Sequence, residues 1–230
     1  MITQIYAIQT VEDALACIEA GADYLGFLPP QGRPDGPRYD ELTDEMTRAI
    51  MQATQGKAMR VLLSVNNDPQ FFIDMAVTYQ PEVIHIASQG FHTNEDFRAA
   101  LNQAAPGVKI MQAVPVSGPE SVQFAKQVAP FADYLLLDTL GVNQTVGVGA
   151  SGKTHDRTID REIVESVDIP VIIAGGLGPD NVAEAIRDAR PWGVDTMTRT
   201  NAASPEGSGK AALRKDIEKV RAFCQAAKQA

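Results

Sequence analysis

A short apolar run followed by an amphipathic helical stretch recurs eight times along this chain. The runs fall at residues 2–8, 24–28, 59–65, 83–87, 108–114, 134–138, 171–173 and 193–197. Helical periodicity fills 11–21, 43–55, 69–79, 94–104, 120–128, 159–167, 179–186 and about 211–227. Apolar strands that alternate with one-sided helices imply a parallel sheet whose faces are both covered. Eight such units in 230 residues, with no break in composition, predict a single α/β domain over 1–230, a closed (β/α)8 TIM barrel. An open doubly wound sheet is the alternative, and it usually has fewer strands at this length.

Composition narrows the function. The net charge of −9 makes the chain a poor general binder of nucleic acid or of anionic membranes. No run of about 18 apolar residues is present, so no membrane span is expected. No basic-then-apolar leader opens the chain, and the cytoplasm is the expected location. The two cysteines, Cys17 and Cys224, both fall in helical patterns and read as reduced packing residues. The three histidines, His85, His92 and His155, have no metal-site spacing, so no metal and no cofactor is expected. Oligomeric state is not legible in the sequence.

In a barrel of this kind the chemistry sits at the C-terminal ends of the strands and in the loops that follow. The loops at 29–40, 139–157 and 199–209 are long, and each follows a strand. The stretch PVIIAGGLGPDNVAEAI (170–186) joins a buried strand to a helix through Gly175 and Gly176. Glycines there let a ligand approach the backbone, and free N–H groups at a helix start favour an anion. The run VGVGASGKT (146–154) adds Gly152 and Lys153. It fits the letters of a nucleotide-binding P-loop but starts well after its strand and precedes no long helix. It reads instead as a general phosphate-binding loop.

Asp138 is the leading acid–base candidate. It closes YLLLD, an otherwise apolar strand, and a carboxyl half withdrawn from water is suited to moving protons near neutrality. The bland alternative is a turn-capping aspartate. Tyr6 closes the first run, Arg38 lies in the loop after the second, and Thr198 and Arg199 follow the eighth.

Taken together these segments resemble the phosphoribosylanthranilate isomerase family. VEDALACIEAGADYLGFLP (11–29), GPRY (36–39), ADYLLLD (132–138), ASGKTHD (150–156), IIAGGLGPDNVAEAI (172–186) and GVD (193–195) are similar to its motifs, in register over nearly the whole chain. The resemblance implies an Amadori rearrangement in tryptophan biosynthesis, aminoaldose phosphate to aminoketose phosphate. A base takes a proton from C2 of the sugar and an acid protonates the ring oxygen. It implies a small phosphorylated sugar-like substrate, with Asp138 as acid and Arg38 on the substrate carboxylate. Gly152, Lys153, Gly175, Gly176, Thr198 and Arg199 would then surround the phosphate.

The chain departs from the family in three places. The family's first strand carries KICG, with the cysteine as base; here the stretch is QIYA, which puts Tyr6 at the cysteine position. A phenol titrating near 10 is a weak base at neutral pH, so Tyr6 on its own predicts weak or absent turnover of phosphoribosylanthranilate. The family's SSG after the eighth strand is MTR (197–199) here, and its VQLHG after the fourth is VIHIA. These departures keep two alternatives open: an isomerase or epimerase of another sugar phosphate, and a binding protein without catalysis.

Overall fold

A computed structural model describes all residues except 33–35, 37–39, 140–156 and 204–212. Eight parallel strands close into a barrel in sequential order: β1 (Ile2–Ile5), β2 (Tyr24–Phe27), β3 (Met59–Ser64), β4 (Val83–Ile86), β5 (Lys109–Val116), β6 (Tyr134–Thr139), β7 (Val171–Ile173) and β8 (Gly193–Thr196). Among the described residues eight α-helices wrap the barrel: α1 (Val11–Glu19), α2 (Asp44–Thr54), α3 (Pro69–Tyr79), α4 (Glu95–Ala104), α5 (Glu120–Val128), α6 (Arg157–Ser166), α7 (Val182–Ala189) and α8 (Ile217–Gln229). The expected barrel is therefore the one observed.

The continuous apolar runs follow from burial on both faces. On β6, Leu135 and Leu137 pack outward against the helices, while Tyr134 and Leu136 fill the barrel interior. Period-two alternation then turns Asp138 inward at the mouth. The same logic sends Ile173 and Val194 outward, and Ile172 and Ala174 inward. Helix starts are set by short polar caps. Thr10, Thr43, Asp68, Asn94 and Asp216 each accept an N–H of the first turn.

Several boundaries shift from those expected, and three of the shifts have a cause in the contacts. β1 ends at Ile5, because Ala7 turns into the left-handed region at φ 58°. Tyr6 lies just past the strand, although its N–H still reaches Thr196 O at 2.9 Å. α7 starts at Val182 rather than at Pro179, since Asn181 is spent on the preceding turn: it accepts from Gly178 N and donates to Gly176 O. α8 starts at Ile217, because Arg214 is tied down by the Asp13 carboxylate and Lys215 by the Asn201 side chain.

Candidate active site

A small pocket at the C-terminal mouth of the barrel is walled by Asp138, Gly175, Gly176, Asp195, Met197 and Thr198. Its floor follows from strand register. Leu137, Ile173 and Val194 are neighbours across β6, β7 and β8. The next residue on each strand turns inward, so Asp138, Ala174 and Asp195 form one row. Gln4 of β1, the register partner of Asp195, extends it. Two carboxyls thus flank the small Ala174 side chain.

One wall is built from backbone. Gly175 and Gly176 sit at φ 81° and 65°, a left-handed pair that glycine adopts without strain. Their carbonyls and that of Ala174 are held away from the pocket. Arg157 donates to Ala174 O at 2.9 Å and to Gly175 O at 2.8 Å. Asn181 and Arg199 donate to Gly176 O at 3.1 and 3.2 Å. The N–H groups of Gly175 and Gly176 donate to no acceptor among the described residues. Amides presented in this way, with two guanidinium groups behind them, make a wall that suits an anion.

Of the residues expected from the sequence, Asp138, Gly175, Gly176 and Thr198 meet at this pocket. Arg38, Gly152 and Lys153 lie outside the described residues. Arg199 is not an open fork for a ligand. It straps the two loops together, with Asp180 Oδ2 at 2.6 Å and Gly176 O as its partners.

Tyr6 needs correction as a base. Its ring lies in the barrel interior, and its hydroxyl meets His85 Nδ1 at 2.6 Å. Burial, and then the charges of Asp195 and Asp138, push the phenol well above 10. Burial pushes His85 down to about 3, so the imidazole is neutral and shares one hydrogen bond with the phenol, the ring tautomer deciding which of the two donates. The pair is a buried hydrogen bond, and it holds no base that works near neutrality.

Two residues at the site were not singled out from the sequence. Arg157 opens α6 beside the fully buried Asp160, its partner at 2.7 Å. A cation in a helix's first turn opposes the helix dipole, and that misplacement was the available signal. Asp195 repeats the signature of Asp138, a carboxylate on the inward side of a strand end.

The sequence model for N-(5'-phosphoribosyl)anthranilate (PRA) isomerase matches residues 3–226. This chain belongs to that family. A PRA isomerase from Methanocella arvoryzae is 33% identical over 218 residues, covering 94% of this chain and 92% of the relative. One from Haloferax volcanii is 35% identical over 222 residues, covering 96% and 90%. The crystal structure of a PRA isomerase from Thermotoga maritima superposes with a TM-score of 0.78 at 25% identity, over the full length of both chains.

Within the PRA isomerase frame the glycine turn gives a direct expectation. Gly176→Val forces a β-branched residue to φ 65°. The turn should move and the amides lose their aim, so KM for a phosphate-ester substrate should rise about tenfold or more, or ~1.4 kcal/mol per tenfold. Steady-state kinetics beside a thermal melt separates this from unfolding. An unchanged KM in a folded variant would remove the turn from the site.

Proposed function

We propose that this chain is a phosphoribosylanthranilate isomerase, which converts the aminoaldose phosphate into the aminoketose phosphate in tryptophan biosynthesis. The observation that carries this reading is the meeting of an inward carboxyl, Asp138, with the Gly175–Gly176 amides in one pocket. The amides hold the phosphate and so fix the sugar. Asp138 then stands where a proton must move. Thr198 lies on the phosphate side, and the family resemblance adds Arg38, Gly152 and Lys153, which lie outside the described residues, as further substrate-binding residues. Family membership over nearly the whole chain supports the same substrate.

No helix among the described residues is long and apolar enough to cross a membrane. The substrate is a small anion, and the reading calls for no cofactor, nucleic acid or lipid. The cytoplasm is the proposed location. The decisive experiment is rescue of a tryptophan auxotroph that lacks only this isomerase, together with turnover of phosphoribosylanthranilate by the purified protein. Rescue and turnover are expected. Failure of both, with a folded protein, would turn the reading to another sugar phosphate.

A further inference from the structure

The structure leaves one chemical step without a group. The motif comparison puts the base at the position of Tyr6, and Tyr6 is sealed in the interior against His85. Asp195 is a second carboxyl at the same mouth: if it takes the acid role that the family resemblance gives Asp138, Asp138 is left to take the C2 proton. It stands in the same row as Asp138, with only Ala174 between them, and both side chains wall the pocket. Asp195 is buried to 6% exposure. One of its oxygens, Oδ1, accepts from Gln4 Nε2 at 3.1 Å. That partner is a neutral amide, and among the described residues no cation is hydrogen-bonded to this carboxyl to hold it ionised.

We propose that Asp195 and Asp138 work as a carboxyl pair that carries both proton transfers of the isomerisation, with Asp195 as the acid and Asp138 as the base. This rests on the isomerase reading above.

The proton inventory closes. Asp195 gives its proton to the ring oxygen, the C1–O bond breaks, and the nitrogen lone pair forms C1=N. Asp138 takes the proton from C2, and the C–H electrons form C1=C2 while the C1=N pair returns to nitrogen. The enol then becomes the ketone as its hydroxyl proton is lost and C1 gains one. The pair has lost one proton from Asp195 and gained one on Asp138, so transfer of a single proton back resets it. Between the two transfers the pair carries two negative charges against the positive C1=N group, and the charge of pair plus substrate is the same throughout, which suits a site poorly reached by solvent.

The electrostatics agree with these roles. Burial, followed by the Asp138 charge, pushes Asp195 well above the ordinary carboxylate range, against the Gln4 bond and the Lys215 charge. The groups facing it are Asp138 from β6, Gln4 and Tyr6 from β1 and its end, and Lys215 from the segment before α8. Two nearby carboxyls with separated affinities for a proton divide naturally into acid and base.

Asp195→Asn tests the pairing, since the amide keeps the shape and can still accept from Gln4. With phosphoribosylanthranilate as substrate, kcat should fall by roughly 10²- to 10⁴-fold while KM changes little. Stability should move the other way. The folded chain keeps an Asp195 proton that the unfolded chain releases near pH 4, so this group's contribution falls as pH rises from there to its folded pKa. Removing it should leave the neutral-pH melting temperature unchanged or higher. Gln4→Lys is the second variant. A cation at Gln4 would ionise Asp195, so the alkaline limb of the kcat profile should move to lower pH. An active wild type with an equally active Asp195→Asn, or an unmoved limb in Gln4→Lys, would overturn the pair and leave the isomerase reading standing. An inactive wild type would sink both.

Discussion

Asp138→Asn is expected to lower kcat for phosphoribosylanthranilate by roughly 10²- to 10⁴-fold, the usual worth of a positioned proton-transfer group. The amide cannot take the C2 proton, and no described neighbour can substitute. Tyr6 is held in its protonated form by burial, and His85 is spent on it. KM should stay near the wild-type value, because the proposed anchor of the phosphate is the Gly175–Gly176 amides and not the carboxylate. The fold should survive, since Asp138 lies near the end of its strand at the mouth of the barrel, half-buried, and its carboxylate accepts from the next residue's N–H at 2.7 Å, a bond that an asparagine oxygen can also accept. The measurement is steady-state turnover of both proteins at neutral pH beside a thermal melt. A folded Asp138→Asn that keeps wild-type kcat would remove Asp138 from the chemistry. It would also leave Asp195 without a base.

What the sequence revealed and what it hid divide along physical lines. The barrel was legible because each strand is buried on both faces, so apolar runs and helical stripes repeat without exception. Asp138 was legible because a carboxylate ending YLLLD has an inward direction fixed by alternation alone. Gly175 and Gly176 were legible because a left-handed pair needs glycine. The end of β1 was not: Ala7 takes a positive φ that carries no signature in its residue type. Nor was the start of α8. Arg214 is held there by Asp13, about two hundred residues away in sequence, at 2.8 Å. The meaning of Tyr6 was hidden for the same reason. Its partner His85 is on the far side of the barrel, and only closure of β1 through β4 brings them together. The sequence could place Tyr6 at a strand end but could not say whether the ring pointed to the ligand or to the core.

That ring sets the last expectation, the largest in stability. Tyr6→Ala should destabilise the fold by about 3–5 kcal/mol, in the range of other large aromatic truncations. It removes a buried ring and leaves His85 Nδ1 without its 2.6 Å partner, when His85 Nε2 already has none among the described residues. The ring also explains a glycine. A Cβ built on Gly26 would stand 2.6 Å from two carbons of the Tyr6 ring, closer than any side-chain carbon can pack. The hydroxyl bond to His85 keeps the ring from moving aside. Gly26→Ala alone should therefore cost about 1–3 kcal/mol by overpacking, a loss of several degrees in melting temperature for a chain of this size. In a Tyr6→Ala background the same substitution enters empty space, so its cost should vanish or reverse, and the double variant should be more stable than the sum of the singles predicts. Denaturant melts of the four proteins measure this coupling. Additive losses would mean that the ring does not lie over Gly26, and Tyr6 would again be free to face the ligand.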